Sequence, residues 1–80
     1  MPEQQKYTRN NPKWVRAEKV VRGSMGGDRV DVTIFGQTFQ NCREQWNDPN
    51  MDPTKGDVLV EHRQYGWLRV WFYGEDIKPR

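Results

Sequence analysis

The segment YGWLRVWFY, residues 65–73, has the side chains best suited to molecular recognition. It holds five of the ten aromatic residues of the chain. Successive side chains of a β-strand point to opposite faces of the sheet, so one face would be apolar and the other would alternate rings with an arginine. The second row is Trp67, Arg69, Trp71 and Tyr73. Such a row suits base stacking, protein hot spots or pairing with a partner strand, and it predicts a partner-binding surface.

Two further side chains, Leu59 and Arg63, belong to the preceding apolar segment and would extend this surface. The same pattern also fits a strongly curled barrel in which the rings form a second core layer or lie beneath the N-terminal residues. Arginine is rarely buried without a partner, and Arg69 stands between two tryptophans, which favours exposure. An exposed patch of this kind indicates a macromolecular partner.

Cys42 and His62 are the candidates for thiolate or acid–base chemistry. Such catalysis needs an oriented pair with a third supporting group, and one cysteine and one histidine do not complete a zinc site. The segment GSMGGD lacks the lysine and spacing of a phosphate-binding loop. Residues 48–54 mimic the opening of a calcium loop, but Pro53 stands where such a loop needs glycine. We therefore expect a non-enzymatic protein without metal or cofactor.

The basic excess of the chain lies at its N-terminus. The three cations of residues 1–13 stand against Glu3, which gives this segment a net charge of +2, equal to that of the whole chain. Residues 14–80 are therefore balanced. The candidate contacts to phosphates or to an acidic partner are Lys6, Arg9, Lys13 and Arg16. The alternative is a solvated tail that aids solubility.

Composition predicts a single soluble domain. Eighty residues suit one small domain with a thin core. The single cysteine cannot form an internal disulfide and fits a reducing compartment, and no apolar run is long enough for a signal peptide or a membrane span. We expect a cytoplasmic protein with no membrane contact, made of a flexible basic arm (1–13) and a small β domain (14–80).

Hydrophobic alternation predicts the strands that position the aromatic row. RVDVTIF (29–35) is the clearest strand. Residues 12–22 fit either a helix that Asn11 caps, which would give an α+β fold, or a strand, and the alternation favours the strand. DVLVEHR and WLRVWFY would form a hairpin closed by residues 64–66, with Gly66 in the left-handed conformation.

That hairpin register places specific pairs across the two strands. Val58 would face Phe72, Glu61 would face Arg69 as an ion pair, and Arg63 would lie over Trp67. His62 would then point into the core. Including a short strand at QTFQNC, the chain would form four or five antiparallel strands, that is, a small curled sheet or barrel.

Two parts of the sequence resemble SH3-like folds. KWVRAEKV with DRVDVTIFG resembles the strand pair of Tudor-like barrels. GDVLVE with GWLRVWFYGEDIKP is similar to the final hairpin and 3₁₀ turn of SH3-like barrels. The resemblance covers roughly residues 13–36 and 56–79 and implies a small SH3-like β-barrel.

These patterns favour a binding or regulatory protein. An 80-residue chain that begins with methionine is typical of a phage- or plasmid-type accessory regulator that inhibits or redirects a larger enzyme. A protein partner is favoured because residues 14–80 carry no net charge. Two alternatives stay open: a nucleic-acid-binding module that uses stacked rings and the basic arm, and a homodimeric structural subunit.

Overall fold

The chain is mainly β in the computed structural model, which describes residues 6–24, 27–46 and 54–79. Over these ranges the elements are β1 (Lys13–Arg16), β2 (Lys19–Arg22), β3 (Arg29–Ile34), β4 (Gln37–Arg43), β5 (Lys55–His62), β6 (Gly66–Tyr73), a 3₁₀ turn (Gly74–Asp76) and β7 (Ile77–Lys78). The predicted mainly β class is confirmed. The strand interpretation of residues 12–22 is also confirmed, and the α+β alternative is wrong. The calcium-like segment 48–54 lies almost wholly outside the described residues.

The strands form two sheets, with the orders β1-β6-β5 and β4-β3-β2-β7. We call them the first and the second sheet. The β1–β6 and β2–β7 pairings are parallel, whereas the other strand pairings are antiparallel. The prediction of four or five antiparallel strands is therefore wrong, because the described ranges hold seven strands in two mixed sheets. Among these residues, no helix is long and apolar enough to cross a membrane.

Two strands exceed the predicted five: β7 was not predicted, and a switch between sheets at Ala17 and Glu18 divides one predicted strand in two. The Ala17 N–H donates to the Trp71 carbonyl of the first sheet, and the next N–H, that of Glu18, donates to the Thr33 carbonyl of the second. The segment that reads as one alternating strand is therefore divided into β1 and β2. Continuous alternation in the sequence cannot reveal where a strand changes its partner.

The core lies between the inner faces of the two sheets. Its buried side chains alternate with half-buried residues along β3 and β6, as strands that bury one face require. The buried members are Val20, Val30, Val32, Ile34, Val58, Val60, Leu68, Val70 and Phe72. Trp46 closes one end of this core by packing edge-on against Phe72, 5.9 Å between ring centroids.

The hairpin of β5 and β6 differs from the predicted register by two residues. Val58 pairs with Val70, and Glu61 pairs with Trp67, so the predicted Glu61–Arg69 ion pair is wrong. The loop has three residues, as expected, but they are 63–65. Gly66 begins β6 with φ +82°, the predicted left-handed conformation. Because the shift is an even number, each side chain keeps its predicted face.

Candidate functional site

The outer face of the first sheet gathers rings and cations from three strands and the N-terminal residues. We call it the cation–aromatic face, and its members are Arg9, Trp14, Arg16, Lys55, Trp67, Arg69, Trp71 and Tyr73. In β6 the burial alternates strictly, so the four predicted residues of this strand share the outer side and are half-buried. The predicted row therefore lies on β6, the central strand beneath a larger surface.

Trp71 is the centre of this face. The Arg16 guanidinium of β1 lies 5.3 Å from its ring centroid, and the Lys55 ammonium of β5 lies 4.5 Å from it. Tyr73 meets the same ring edge-on at 5.5 Å. Cations over aromatic rings contribute about 0.5–1 kcal/mol each at exposed sites. The central indole is thus held by side chains from both neighbouring strands.

The face also contains an ion pair whose carboxylate is buried. Arg69 Nε donates to Asp57 Oδ1 at 2.8 Å, and Asp57 is only 4% exposed. The same guanidinium lies 5.3 Å from the ring centroid of Trp14, which is 43% exposed. Arg69 is therefore bound within the chain, and it supports the most exposed indole of the face.

The structure places the two remaining predicted partner contacts differently. Leu59 pairs with Arg69 in the ladder and is half-buried on the same face. Arg63 lies in the hairpin loop, where its N–H donates to Gln37 Oε1, so the predicted position opposite Trp67 is wrong. The shifted register causes this, because the loop begins one residue earlier than predicted.

The sequence did not predict that Trp14 and Lys55 belong to this face, or that Asp57 forms its ion pair with Arg69. Trp14 lies in β1, whose pairing to β6 was not predicted. Lys55 begins β5 two residues before the predicted strand, and Asp57 was predicted in another register. The alternation of Trp14 with Arg16 within one strand is the sequence pattern that could have indicated that Trp14 belongs to this face.

The predicted phosphate or acidic-partner contacts lie along one side of β6. Lys6 Nζ donates to the Arg63 carbonyl, Arg9 lies 5.4 Å from the Trp67 centroid, and Lys13 lies 5.4 Å from the Tyr7 centroid. Tyr7 pairs with Gly66 in a parallel bridge. The flexibility of the arm stays a prediction, and its first five residues lie outside the described part of the chain.

Asp76 connects the 3₁₀ turn to the cation–aromatic face. Its Oδ2 accepts the Tyr73 N–H at 3.0 Å and Arg16 Nη2 at 3.2 Å. The backbone hydrogen bond from Tyr73 is the main cause that lowers the pKa of this carboxyl, the cation of Arg16 adds to it, and burial opposes both. A carboxyl with a lowered pKa stabilises the fold above its unfolded-state pKa, and this contribution is lost as the pH falls through the folded-state pKa.

We therefore expect Asp76→Asn to flatten the acid side of the stability profile. Urea unfolding between pH 7 and pH 2.5 should show a smaller loss of stability below about pH 4 in the variant than in the parent, since that is where an aspartate titrates. Glu75→Gln, in the same turn, is the matched control and should keep the parent profile. An Asp76→Asn profile that superimposes on the parent would show that this carboxylate is not linked to folding.

Cys42 and His62 lie away from the cation–aromatic face. Burial raises the pKa of the Cys42 thiol, the Asp31 carboxylate adds to the increase, and Arg29 opposes it. His62 is 2% exposed in the core; its Nδ1 accepts the Gln64 N–H at 3.1 Å, and its Nε2 has no hydrogen-bond partner in the described structure. A raised pKa disfavours the reactive thiolate.

No cluster of three or more His, Cys, Asp or Glu residues that could hold a metal ion occurs in the described ranges. The outer face of the first sheet holds rings in fixed positions with cations at their faces. In comparisons with known proteins, no family model, no curated protein and no solved structure matches the chain.

Proposed function

We propose that this chain is a non-enzymatic regulatory protein that docks on a larger protein through the cation–aromatic face and thereby inhibits or redirects it. The observation that carries the proposal is the cluster around Trp71, with Arg16, Lys55 and Tyr73 in contact with one ring. Tryptophan, tyrosine and arginine are the residues most enriched in the energetic centres of protein interfaces.

Preorganisation of this face supports the proposal. Association costs about 0.5–1.5 kcal/mol for each flexible side chain that becomes ordered at an interface. Here Arg69 is already fixed by Asp57, and Arg16 is fixed by Asp76 and two rings. A partner would therefore meet side chains that have lost much of their freedom on folding. Trp14, 43% exposed, offers apolar area beside them.

A protein partner is favoured over nucleic acid by what covers the rings. Arg9 lies over Trp67 and Arg16 over Trp71, so a base that stacks there would have to displace a cation of the chain itself. Carboxylates of a protein partner could instead reach the edges of the same cations. The nucleic-acid alternative keeps one supporting observation: Arg9, Lys13 and Arg16 all lie near the β1 edge of the first sheet, where phosphates could follow them.

Affinity capture tests the proposal. The immobilised chain, Trp71→Ala and the matched control Gln40→Ala, an exposed residue of the second sheet, would be incubated with lysate of the source cells, and any captured protein would be purified and titrated. We expect the parent and the control to bind one protein equally, and Trp71→Ala to bind it at least thirtyfold more weakly, as a central hot spot does. Equal affinity of all three chains would contradict docking through this face.

Oligonucleotide binding distinguishes the nucleic-acid alternative from the protein-partner proposal. Labelled single- and double-stranded DNA and RNA would be titrated with the parent chain across a salt series. The protein-partner proposal predicts no submicromolar complex at physiological salt. Submicromolar binding that weakens steeply with salt and is lost in both Trp71→Ala and the double variant Arg9→Ala/Lys13→Ala would establish nucleic acid as the ligand instead.

A further inference from the structure

The edge of the first sheet at β1 presents backbone groups to solvent. In a parallel ladder, alternate residues of a strand bond to the neighbour while those between them point away. The Ala17 N–H, directly after β1, donates to the Trp71 carbonyl, so the odd-numbered residues of β1 direct their backbone groups toward β6. The N–H and C=O groups of Trp14 and Arg16 therefore point away from β6, and β1 is the terminal strand of its sheet.

The other sheet edges in the described part of the chain are less suited to a new strand. The outer side of β5 is paired to Gln45 at Asp57. The β4 edge is interrupted by a bulge, where Asn41 has φ +57° and its N–H donates to Asp31 Oδ1. Bulges protect strand edges against pairing, and β7 has only two residues. β1 is thus the edge with a regular run of outward groups.

The charges near this edge are complementary to an acidic segment. β1 continues into a cleft of about 350 Å³ between the two sheets, lined by Arg16, Ala17, Glu18, Lys19, Val20, Asp76 and Lys78. Both carboxylates of the cleft are already bound within the chain: Glu18 accepts the Phe35 N–H, and Asp76 accepts from Tyr73 and Arg16. Three cations, Arg16, Lys19 and Lys78, line the cleft against these two carboxylates.

We propose that the partner supplies an extended acidic segment that adds to β1 as a further strand of the first sheet. This inference rests on the proposed function and specifies its binding mode. Main-chain hydrogen bonds to Trp14 and Arg16 would give affinity, the exposed indole of Trp14 would cover an apolar side chain, and carboxylates would lie beside Arg16 and Lys19. A second copy of the chain suits the edge less well, because it would bring its own Lys13 and Arg16 against the same cations.

Amide hydrogen exchange measured by NMR tests the strand addition directly. The probe is a capped heptapeptide of alternating glutamate and valine, and its control is the same peptide N-methylated at two consecutive central residues, which blocks both edges of the probe. We expect the unmodified peptide to slow exchange of the Trp14 and Arg16 amides at least tenfold at saturation, and the methylated peptide to have no such effect. Absence of binding at millimolar peptide, equal effects of the two peptides, or protection confined to β4 would overturn the proposal.

A pair of variants tests the main-chain hydrogen bond of Trp14 in the complex with the captured partner. Trp14→Pro and Trp14→Ala both lose the indole, but only proline also removes the outward N–H, and proline is tolerated where a strand edge faces solvent. We expect the captured partner to bind Trp14→Pro at least tenfold more weakly than Trp14→Ala. If Trp14→Pro and Trp14→Ala bind equally while Trp71→Ala loses binding, strand addition is overturned but docking through the cation–aromatic face is retained. Retained binding in Trp71→Ala would overturn the proposed function itself.

The Trp14 and Arg16 amides would exchange slowly without added peptide if a second copy of the chain already covered the β1 edge. Sedimentation at several concentrations would then show whether a second copy covers the edge. Protection that rises with protein concentration together with a dimer mass would overturn the acidic-segment proposal in favour of self-association. Fast exchange in a monomer, with protection only after the peptide is added, supports it.

Discussion

Replacing Gly66 by alanine is expected to lower the free energy of unfolding by about 3 kcal/mol, the largest loss that we expect from a change this small. Gly66 has φ +82°, a conformation that costs an L-residue about 1–2 kcal/mol. A Cβ at this position would also lie 2.5 Å from the carbonyl oxygen of Tyr7 and 2.9 Å from its nitrogen. Since both contacts are backbone atoms, the Tyr7 segment would have to leave β6 and lose its hydrogen bonds to Tyr65 and Trp67.

Gly36→Ala is the matched control for this substitution. Gly36 has a similar φ, +75°, but a Cβ there would meet no atom within 4 Å. We expect a loss of only about 1–2 kcal/mol, the cost of the left-handed backbone alone. Urea denaturation followed by tryptophan fluorescence measures both. Equal losses in the two variants would show that the Tyr7 segment does not press on Gly66.

Asp57→Ala is expected to destabilise the fold by about 2–3 kcal/mol. Removing one partner of a buried ion pair costs about 3–5 kcal/mol, because the other charge is left without compensation. The guanidinium of Arg69 is 28% exposed, so water would replace part of the lost interaction, and we reduce the expectation accordingly. The variant should also release Trp14, since the same guanidinium supports its ring.

A double-mutant cycle isolates the contribution of this pair. Asp57→Ala, Arg69→Met and the double variant would be unfolded in urea, and the coupling energy calculated from the three losses. We expect the double variant to be more stable than the sum of the single losses implies, by about 1 kcal/mol or more. Additive losses would mean that Asp57 acts through its other contacts and not through Arg69.

The sequence was sufficient to predict on which face of a strand each side chain lies, but not which strands pair with each other. Period-two alternation identified β3, β5 and β6 and assigned Val30, Leu68 and Trp71 to their correct sides, because one face of each strand is buried. Alternation contains no information on which strands pair. The parallel contact of β1 with β6, and the change of sheet at Ala17, depend on long-range hydrogen bonds that no local pattern encodes.

The candidate site shows the same limit. Its central row was predicted because four of its members lie in one strand. Lys55 was missed because the predicted strand began at Asp57, two residues after the start of β5. Asp57 was missed because a shift of two residues keeps every side chain on its face yet changes its neighbours. The prediction paired Arg69 with Glu61 on the basis of opposite charge. The structure pairs it with Asp57, which is 4% exposed, and Glu61 lies exposed beside Trp67.

Site-specific photocrosslinking in the source cells tests the central claim, that the cation–aromatic face docks on a protein. A photoreactive amino acid would replace Glu61, which is exposed and paired with Trp67 on this face, or Gln40 on the second sheet. The proposal predicts a discrete covalent adduct with one cellular protein from position 61 and none from position 40. An adduct with nucleic acid alone from position 61, or the same protein adduct in equal yield from both positions, would contradict it.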